Sequence, residues 1–265
     1  MVEKSEFKAA LNKLYREEPC KILPTAIWKT MEGMNGLSCS CKFTGEDTDR
    51  LEAFNEDGLH LFWNRTGKVD PSFYRSMKES KSMILHEEYF QQVKNEGWTE
   101  TTPYFRVMHD TEAIMPYSLN EPYQIVESKG AEEAEKIADF IGRCYDHLHP
   151  SAETVLKWTR HRVYDKKLWI WIMDNDKKTP AALGIAECDT SIPEGSLEWI
   201  QVLPEYQNQG LGKTLVLELL NRLKGRVAFA TVSGEVDNTT NPERLYRKCG
   251  FYGNDVWWVL RKEEN

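Results

Sequence analysis

The segment Val202-Leu203-Pro204-Glu205-Tyr206-Gln207-Asn208-Gln209-Gly210-Leu211-Gly212-Lys213-Thr214 decides how this chain is read. An apolar stretch ends, a short polar turn with two glycines follows, and a long apolar-periodic run begins at Leu211. That is a strand, a turn and a helix. Glycines let successive backbone N–H groups converge, and a helix start adds its unsatisfied donors and the positive end of its dipole. Together they make an anion site suited to a phosphate or pyrophosphate. Two familiar phosphate loops fail to fit. A Walker A loop needs a glycine where Gln207 stands, ahead of Gly212-Lys213-Thr214, and a dinucleotide fingerprint needs one where Leu215 stands.

Outward from this segment the elements alternate regularly. Tyr123 to Glu127 reads as a strand, followed by a helix from Ala131 to Cys144 with Ala134, Ile137, Ala138 and Ile141 on one face. A polar break, Asp146-His147-Leu148-His149-Pro150, precedes a second helix with Ser151 as its N-cap. Strands are expected at Leu168–Met173, Ala182–Cys188 and Leu197–Leu203, then the long helix carrying Leu211, Leu215, Val216, Leu219, Leu220 and Leu223. A strand at Val227–Val232, a helix at Pro242–Lys248 and a strand at Val256–Leu260 close the chain. The fold class is α/β (α+β), a mixed sheet covered by helices. Upstream, Phe7, Leu11, Leu14 and Tyr15 mark a helix, and Leu37–Phe43 and Leu59–Trp63 alternate like strands. Asp70 as N-cap and Pro71 at N1 open a helical region expected to run towards Gly97-Trp98, before a strand at Tyr104–Met108. Pro116 to Pro122 has turn formers and little periodicity, so the expected domains are a smaller α/β unit at 1–115 and a larger one at 120–265.

Gln207-x-x-Gly210-x-Gly212 resembles the acyl-CoA pyrophosphate loop of the GNAT superfamily of N-acyltransferases. The six-residue pattern is short, and context strengthens it. Val202-x-Pro204-Glu205-Tyr206 looks like the exit of that family's fourth strand, and Asn241-Pro242-Glu243-Arg244-Leu245-Tyr246-Arg247-Lys248-Cys249-Gly250-Phe251 is similar to its N-x-x-x-x-L-Y-x-x-x-G-F segment. The resemblance covers roughly 120–265 and implies a GNAT-type, mostly antiparallel sheet. It further implies acetyl-CoA as cosubstrate, no metal, and direct attack by an amine in a ternary complex. Gln207, Asn208, Gln209, Gly210, Leu211, Gly212 and Lys213 would then hold the pyrophosphate. Backbone N–H groups near Ile200 and Val202 would hold the pantetheine and polarise the thioester carbonyl, an oxyanion-hole role. Asparagines stand at both 238 and 241, and either Asn238 or Asn241 meets the cofactor.

The resemblance makes Tyr246 both a cofactor contact and the proton donor to the departing thiolate, which a phenol of pKa about 10 can serve. Glu198 stands on the expected fourth strand, where several family members carry a general base. Alternation puts Glu198, Ile200 and Val202 on one face, and Trp199 and Gln201 on the other. His147, His149, Asp146 and Asp189 are weaker candidates near the acceptor. Having both Glu198 and Tyr246 favours an enzyme acting on a small-molecule or peptide amine; the alternative is an acyl-CoA-binding sensor without turnover. For 1–115, Glu96-Gly97-Trp98 followed by Tyr104-Phe105-Arg106-Val107-Met108 is similar to Cys249-Gly250-Phe251 followed by Val256-Trp257-Trp258-Val259-Leu260. That suggests a degenerate GNAT-like half without the phosphate loop, or else an unrelated extension.

Composition agrees with these readings. The 265 residues are 40% hydrophobic and 29% charged, ordinary for a globular protein of one large or two modest domains. A net charge of −8 without a Lys/Arg cluster argues against nucleic acid as partner. The start, Met1-Val2-Glu3-Lys4-Ser5-Glu6, has no apolar signal core, and no apolar run reaches the roughly 18 residues of a membrane span. Six cysteines lack framework spacing, and Cys39-Ser40-Cys41 alone lacks further metal ligands. A cytoplasmic location with reduced thiols is expected.

Overall fold

The computed structural model describes residues 4–145 and 148–262. Contacts divide the chain into two compact units: one holds the residues up to Val107, Ser233–Glu243 and the chain from Gly253 on, the other Met108–Val232 with Arg244–Tyr252.

The first unit begins with α1 (Lys4–Glu17), α2 (Pro19–Ile22) and α3 (Ile27–Gly33). β1 (Ser38–Thr44), β2 (Asp47–Phe54), β3 (Gly58–Asn64), α4 (Pro71–Glu79), β4 (Ser82–His86), α5 (Glu87–Val93) and β5 (Glu100–His109) follow. The sequence suggested one helical region from Asp70 to Gly97. Instead α4 stops at Ser80, whose extended backbone donates its N–H to Ser76 and Met77, and Ser82–His86 forms a strand with Met83 and Leu85 inward. A period of two thus interrupts the period of 3.6 that the flanking segments carry. Phe73 and Met77, one turn apart on α4, bury against Leu59, Phe62, Met83 and Tyr89. Phe62 meets Phe73 at 4.4 Å and Tyr89 at 4.8 Å between ring centroids. Burying one such ring is worth about 2–3 kcal/mol.

The second unit contains β6 (Tyr123–Glu127), α6 (Ala134–Cys144), α7 (Ala152–Trp158), β7 (Trp169–Asp174), β8 (Thr179–Asp189), β9 (Glu194–Val202), α8 (Leu211–Leu223) and the start of β10 (Phe229–Glu235). α9 (Pro242–Lys248) and β11 (Tyr252–Arg261) complete the chain. β6 to β9 pair antiparallel in order, and β10 pairs parallel with β9. Ser151 caps α7 by accepting from the N–H of Thr154, as its position suggested. Alternation on β7 sends Trp171 to Phe140 of α6, 5.1 Å between centroids, and Ile170 to the opposite face with α8. A Cβ on Gly195 would stand 2.6 Å from Leu223, so glycine there lets α8 lie close on the sheet.

In the first unit the strand order is β1-β2-β3-β4-β11-β5, with β1, β2 and β3 antiparallel neighbours and β3 parallel to β4. Both units therefore hold mixed, mostly antiparallel sheets covered by helices. No helix among the described residues is long and apolar enough to cross a membrane, and no disulfide joins the six cysteines, all of them described.

Candidate active site

The turn between β9 and α8 is built to leave donors open. A 3₁₀ turn at Pro204–Tyr206 redirects the chain, and Tyr206, buried beneath it, donates its hydroxyl to Asp174 at 2.9 Å. Asn208 and Gly210 both take left-handed backbone conformations, φ +61° and +83°, which folds successive N–H groups onto one side of the loop. Gly210 is the N-cap of α8 and brings no side chain to cover the helix start. Among the described residues, the backbone N–H groups of Asn208 through Lys213 find no acceptor. Gln207 donates to the carbonyl of Val202 at 3.3 Å, while Gln209 accepts from Tyr123 at 2.6 Å. These side chains brace the loop and leave the amides open. Lys213 is exposed beside them.

Beside this loop the parallel pair opens. β10 stays in register with β9 only from Phe229↔Glu194 to Thr231↔Ser196. Beyond Ser196, β9 continues to Val202 paired with β8 alone among the described residues. The edge carrying Ile200 and Val202 is thus available to an extended ligand, where residue identity matters little and backbone groups do the binding.

Glu198 sits at an irregularity the sequence did not show. Ile185 of β8 faces Trp199 and Ala186 faces Leu197, so Glu198 is the extra residue of a β-bulge. Bulges re-aim a side chain away from simple alternation. Past the bulge, Trp199 and Gln201 face the α6–α7 side: Trp199 stacks on Trp158 at 5.3 Å, and Gln201 donates to the Tyr145 hydroxyl at 2.8 Å. Val202 faces α8, with its Cγ2 3.7 Å from where a Gly212 Cβ would stand.

Tyr246 lies on α9, 7% exposed, with Phe251 edge-on at 5.6 Å. Burial first, then proximity to Tyr145, Cys249 and Glu198, holds its phenol above the ordinary range. It therefore stays protonated through neutral pH. The structure brings both Tyr145 and Glu198 within electrostatic reach of Tyr246. Tyr145 escaped the sequence reading, since nothing local distinguishes it in the polar stretch after α6. Asn238 and Asn241 fall in the first unit, in the turn before α9, where Asn238 accepts from the N–H and hydroxyl of Thr240. Asp189 has both oxygens bound by Arg162, at 2.7 and 2.6 Å. His149 is exposed, with its ring against Gly142. Asp146 and His147 lie outside the described residues. Among the described residues, no group of three or more His, Cys, Asp or Glu side chains is placed to hold a metal ion.

Residues 166–252, which contain the loop, the opened strand and Tyr246, match the family model described as an acetyltransferase (GNAT) domain. The matched stretch, about a third of the chain, is thus a GNAT-type domain. Among curated proteins it is similar to the ribosomal protein bS18-alanine N-acetyltransferase of Haemophilus influenzae, 36% identical over 74 residues. That stretch is 28% of this chain, which spans about half (50%) of the relative's length. Two solved structures share the fold over most of both chains at 13% identity. A Drosophila protein has a TM-score of 0.66 over 98% of this chain and 97% of its own. A GCN5-related N-acetyltransferase from Sphaerobacter thermophilus has 0.63 over 90% and 85%.

Proposed function

We propose that the protein transfers an acetyl group from acetyl-CoA to a small-molecule or peptide amine. The observation that carries this reading is the run of open N–H groups from Asn208 to Lys213 beside an opened strand edge. The loop residues Gln207 to Lys213 hold the pyrophosphate on backbone donors and the helix dipole. Acetyl-CoA supplies the activated thioester. The N–H groups around Ile200 and Val202 pair with the pantetheine and stabilise charge developing on the thioester oxygen.

Glu198, aimed by its bulge, draws the proton from the incoming ammonium through a water. The new N–C bond forms as the C–S bond breaks, and Tyr246 gives its proton to the departing sulfur. Its raised pKa ensures the proton is present at neutral pH. The Haemophilus relative acts on an alanine amine, which supports an amine as acceptor. The test is thiol release from acetyl-CoA over a panel of small amines, polyamines and peptides, with mass spectrometry of the products. Amine-dependent release with an acetylated product is expected. Acetyl-CoA binding without release for any amine would instead favour a sensor.

A further inference from the structure

The sheet face turned away from α8 changes character along β9. Gly184 and Gly195 face α8, so Glu187 of β8 and Glu194 and Ser196 of β9 point to the other side, as Trp199 does. Glu187 pairs with Ser196 across the ladder, and Thr231 of β10 pairs with Ser196 from the opposite edge. Four polar residues thus share one patch, each 6% exposed or less. A sheet face buried this deeply is normally apolar, and polar groups placed there need partners.

Thr231 donates its hydroxyl to Glu194 at 2.7 Å. Further along, Arg162 holds both oxygens of Asp189 and closes that end of the patch. Ser196 is different: its hydroxyl is buried and has no hydrogen-bond partner among the described residues. Such a hydroxyl, beside two carboxylates, is costly unless a ligand meets it. In the other direction exposure rises, through the bulged Glu198 to Trp199, half-buried against Trp158. The chemistry of the buried end selects its occupant. Ionised carboxylates only accept, and a serine hydroxyl can also accept, so the matching group carries several N–H donors and a positive charge. Glu198 and Ser196 stand two residues apart on one strand, about 6–7 Å. A chain of about four carbons spans that at ~1.5 Å per bond, and the Trp199 and Trp158 rings offer it an apolar wall.

We propose that the acceptor is a short diamine, whose far ammonium is held by Ser196, Glu187 and Glu194 while its near amine meets Glu198. The near end rests on the acetyltransferase reading; the far end is a cation site in its own right. The probes are 1,4-diaminobutane and 1-aminobutane. Each is titrated calorimetrically into the full chain, alone and saturated with CoA, and each is offered as acceptor with acetyl-CoA. The diamine should bind at least tenfold more tightly than the monoamine and show a kcat/KM at least tenfold higher. Ser196→Ala removes only the open hydroxyl. It should cut the preference for the diamine at least fivefold without lowering the melting temperature, because the hydroxyl has no protein partner to lose. Glu187→Gln should cut that preference more than tenfold, with its melting temperature reporting that it folds. No diamine binding at millimolar concentration, or a folded Ser196→Ala chain with the wild-type preference, overturns the proposal. Both amines acetylated with equal efficiency sinks it alone and leaves acetyl transfer standing. Diamine binding that depends on Ser196, with no acetyl transfer to any amine, sinks the acetyltransferase reading and leaves the cation site.

Discussion

Each unit contains a parallel strand pair bridged by a helix, β3-α4-β4 in the first and β9-α8-β10 in the second, and the two treat the same opening in opposite ways. In both, the parallel pairing is brief: Gly58↔Ser82 and Leu59↔Met83 in one, three pairs in the other. In the first unit the opening is filled from within. Tyr89 of α5 donates its hydroxyl to the carbonyl of Asn64 at 3.0 Å and accepts from the Asn64 N–H at 2.9 Å, closing the edge of β3. The start of α4 is covered by the Asp70 carboxylate, which accepts from the N–H groups of Ser72 and Phe73 at 3.0 Å. In the second unit the helix N-cap is glycine and the strand edge lies open. The difference teaches where a ligand can enter: the same frame is a self-satisfied structural unit or an anion site, depending on whether the chain's own side chains occupy the donors.

The largest expected effect is at Tyr246, which has Val93 as its counterpart in the first unit. Tyr246 stands four residues before Gly250-Phe251, and Val93, fully apolar and buried, stands four before Gly97-Trp98. Only the second unit has a proton donor there. Tyr246→Phe should lower turnover by about 10²–10⁴-fold with acetyl-CoA affinity little changed, read by steady-state kinetics and calorimetry. Normal turnover would make Tyr246 a packing residue like Val93. A smaller change is expected at the helix start. Gly210→Asp imitates Asp70 by placing a carboxylate over the open amides, and should weaken acetyl-CoA about 100-fold. Gly210→Asn imposes the same backbone conformation without the charge, and a loss within about tenfold is expected. Equal losses for both would show that strain, not occupancy, had been measured.

Much of the second unit was legible in the sequence because its signals are local. The Gln207–Gly212 turn, the Ser151 cap and the Leu245-Tyr246 helix each lie within a dozen residues. Asp70-Pro71 was legible in the first unit for the same reason. What was missed depends on contacts between distant residues. The bulge at Glu198 exists only as register against β8, and the Tyr89–Asn64 plug spans 25 residues. β4 was hidden because Ser82–His86 is five residues between two helices, too short for a period of two to stand out.

Tyr89→Phe tests the plug and should do the reverse of Tyr246→Phe. It leaves both buried backbone groups of Asn64 without their partner, at a cost of about 1–3 kcal/mol for such loss. Burial holds the Tyr89 phenol up at about 12, so the bond is that of a neutral hydroxyl throughout the accessible pH range. Urea denaturation should show the loss, while turnover per folded molecule stays near wild type. A large fall in turnover at unchanged stability would mean the first unit takes part in the chemistry.

The smallest effect expected is at Asp70, and its sign is fixed by pKa. Burial alone would raise this carboxyl, but the Ser72 hydroxyl, the N–H groups of Phe73 and Ser72, and the Arg50 guanidinium outweigh it and bring it to about 2. An unfolded aspartate titrates at about 3.9. A group lowered by folding contributes stability that is complete above the unfolded value and disappears as pH falls through the folded one. The Asp70 contribution should therefore be present at neutral pH and drain away between about pH 4 and pH 2. Asp70→Asn keeps an oxygen over the α4 amides and removes the charge facing Arg50. The carboxylate is half exposed, so the loss at pH 7 should stay within about 1 kcal/mol. The acid limb of a melting-temperature profile should flatten over that same window, and acetyl-CoA affinity should not move. An acid limb identical to wild type would show that the cap works through geometry alone. A change in acetyl-CoA affinity would break the contrast itself, because α4 would then be serving the ligand that its own carboxylate is argued to replace.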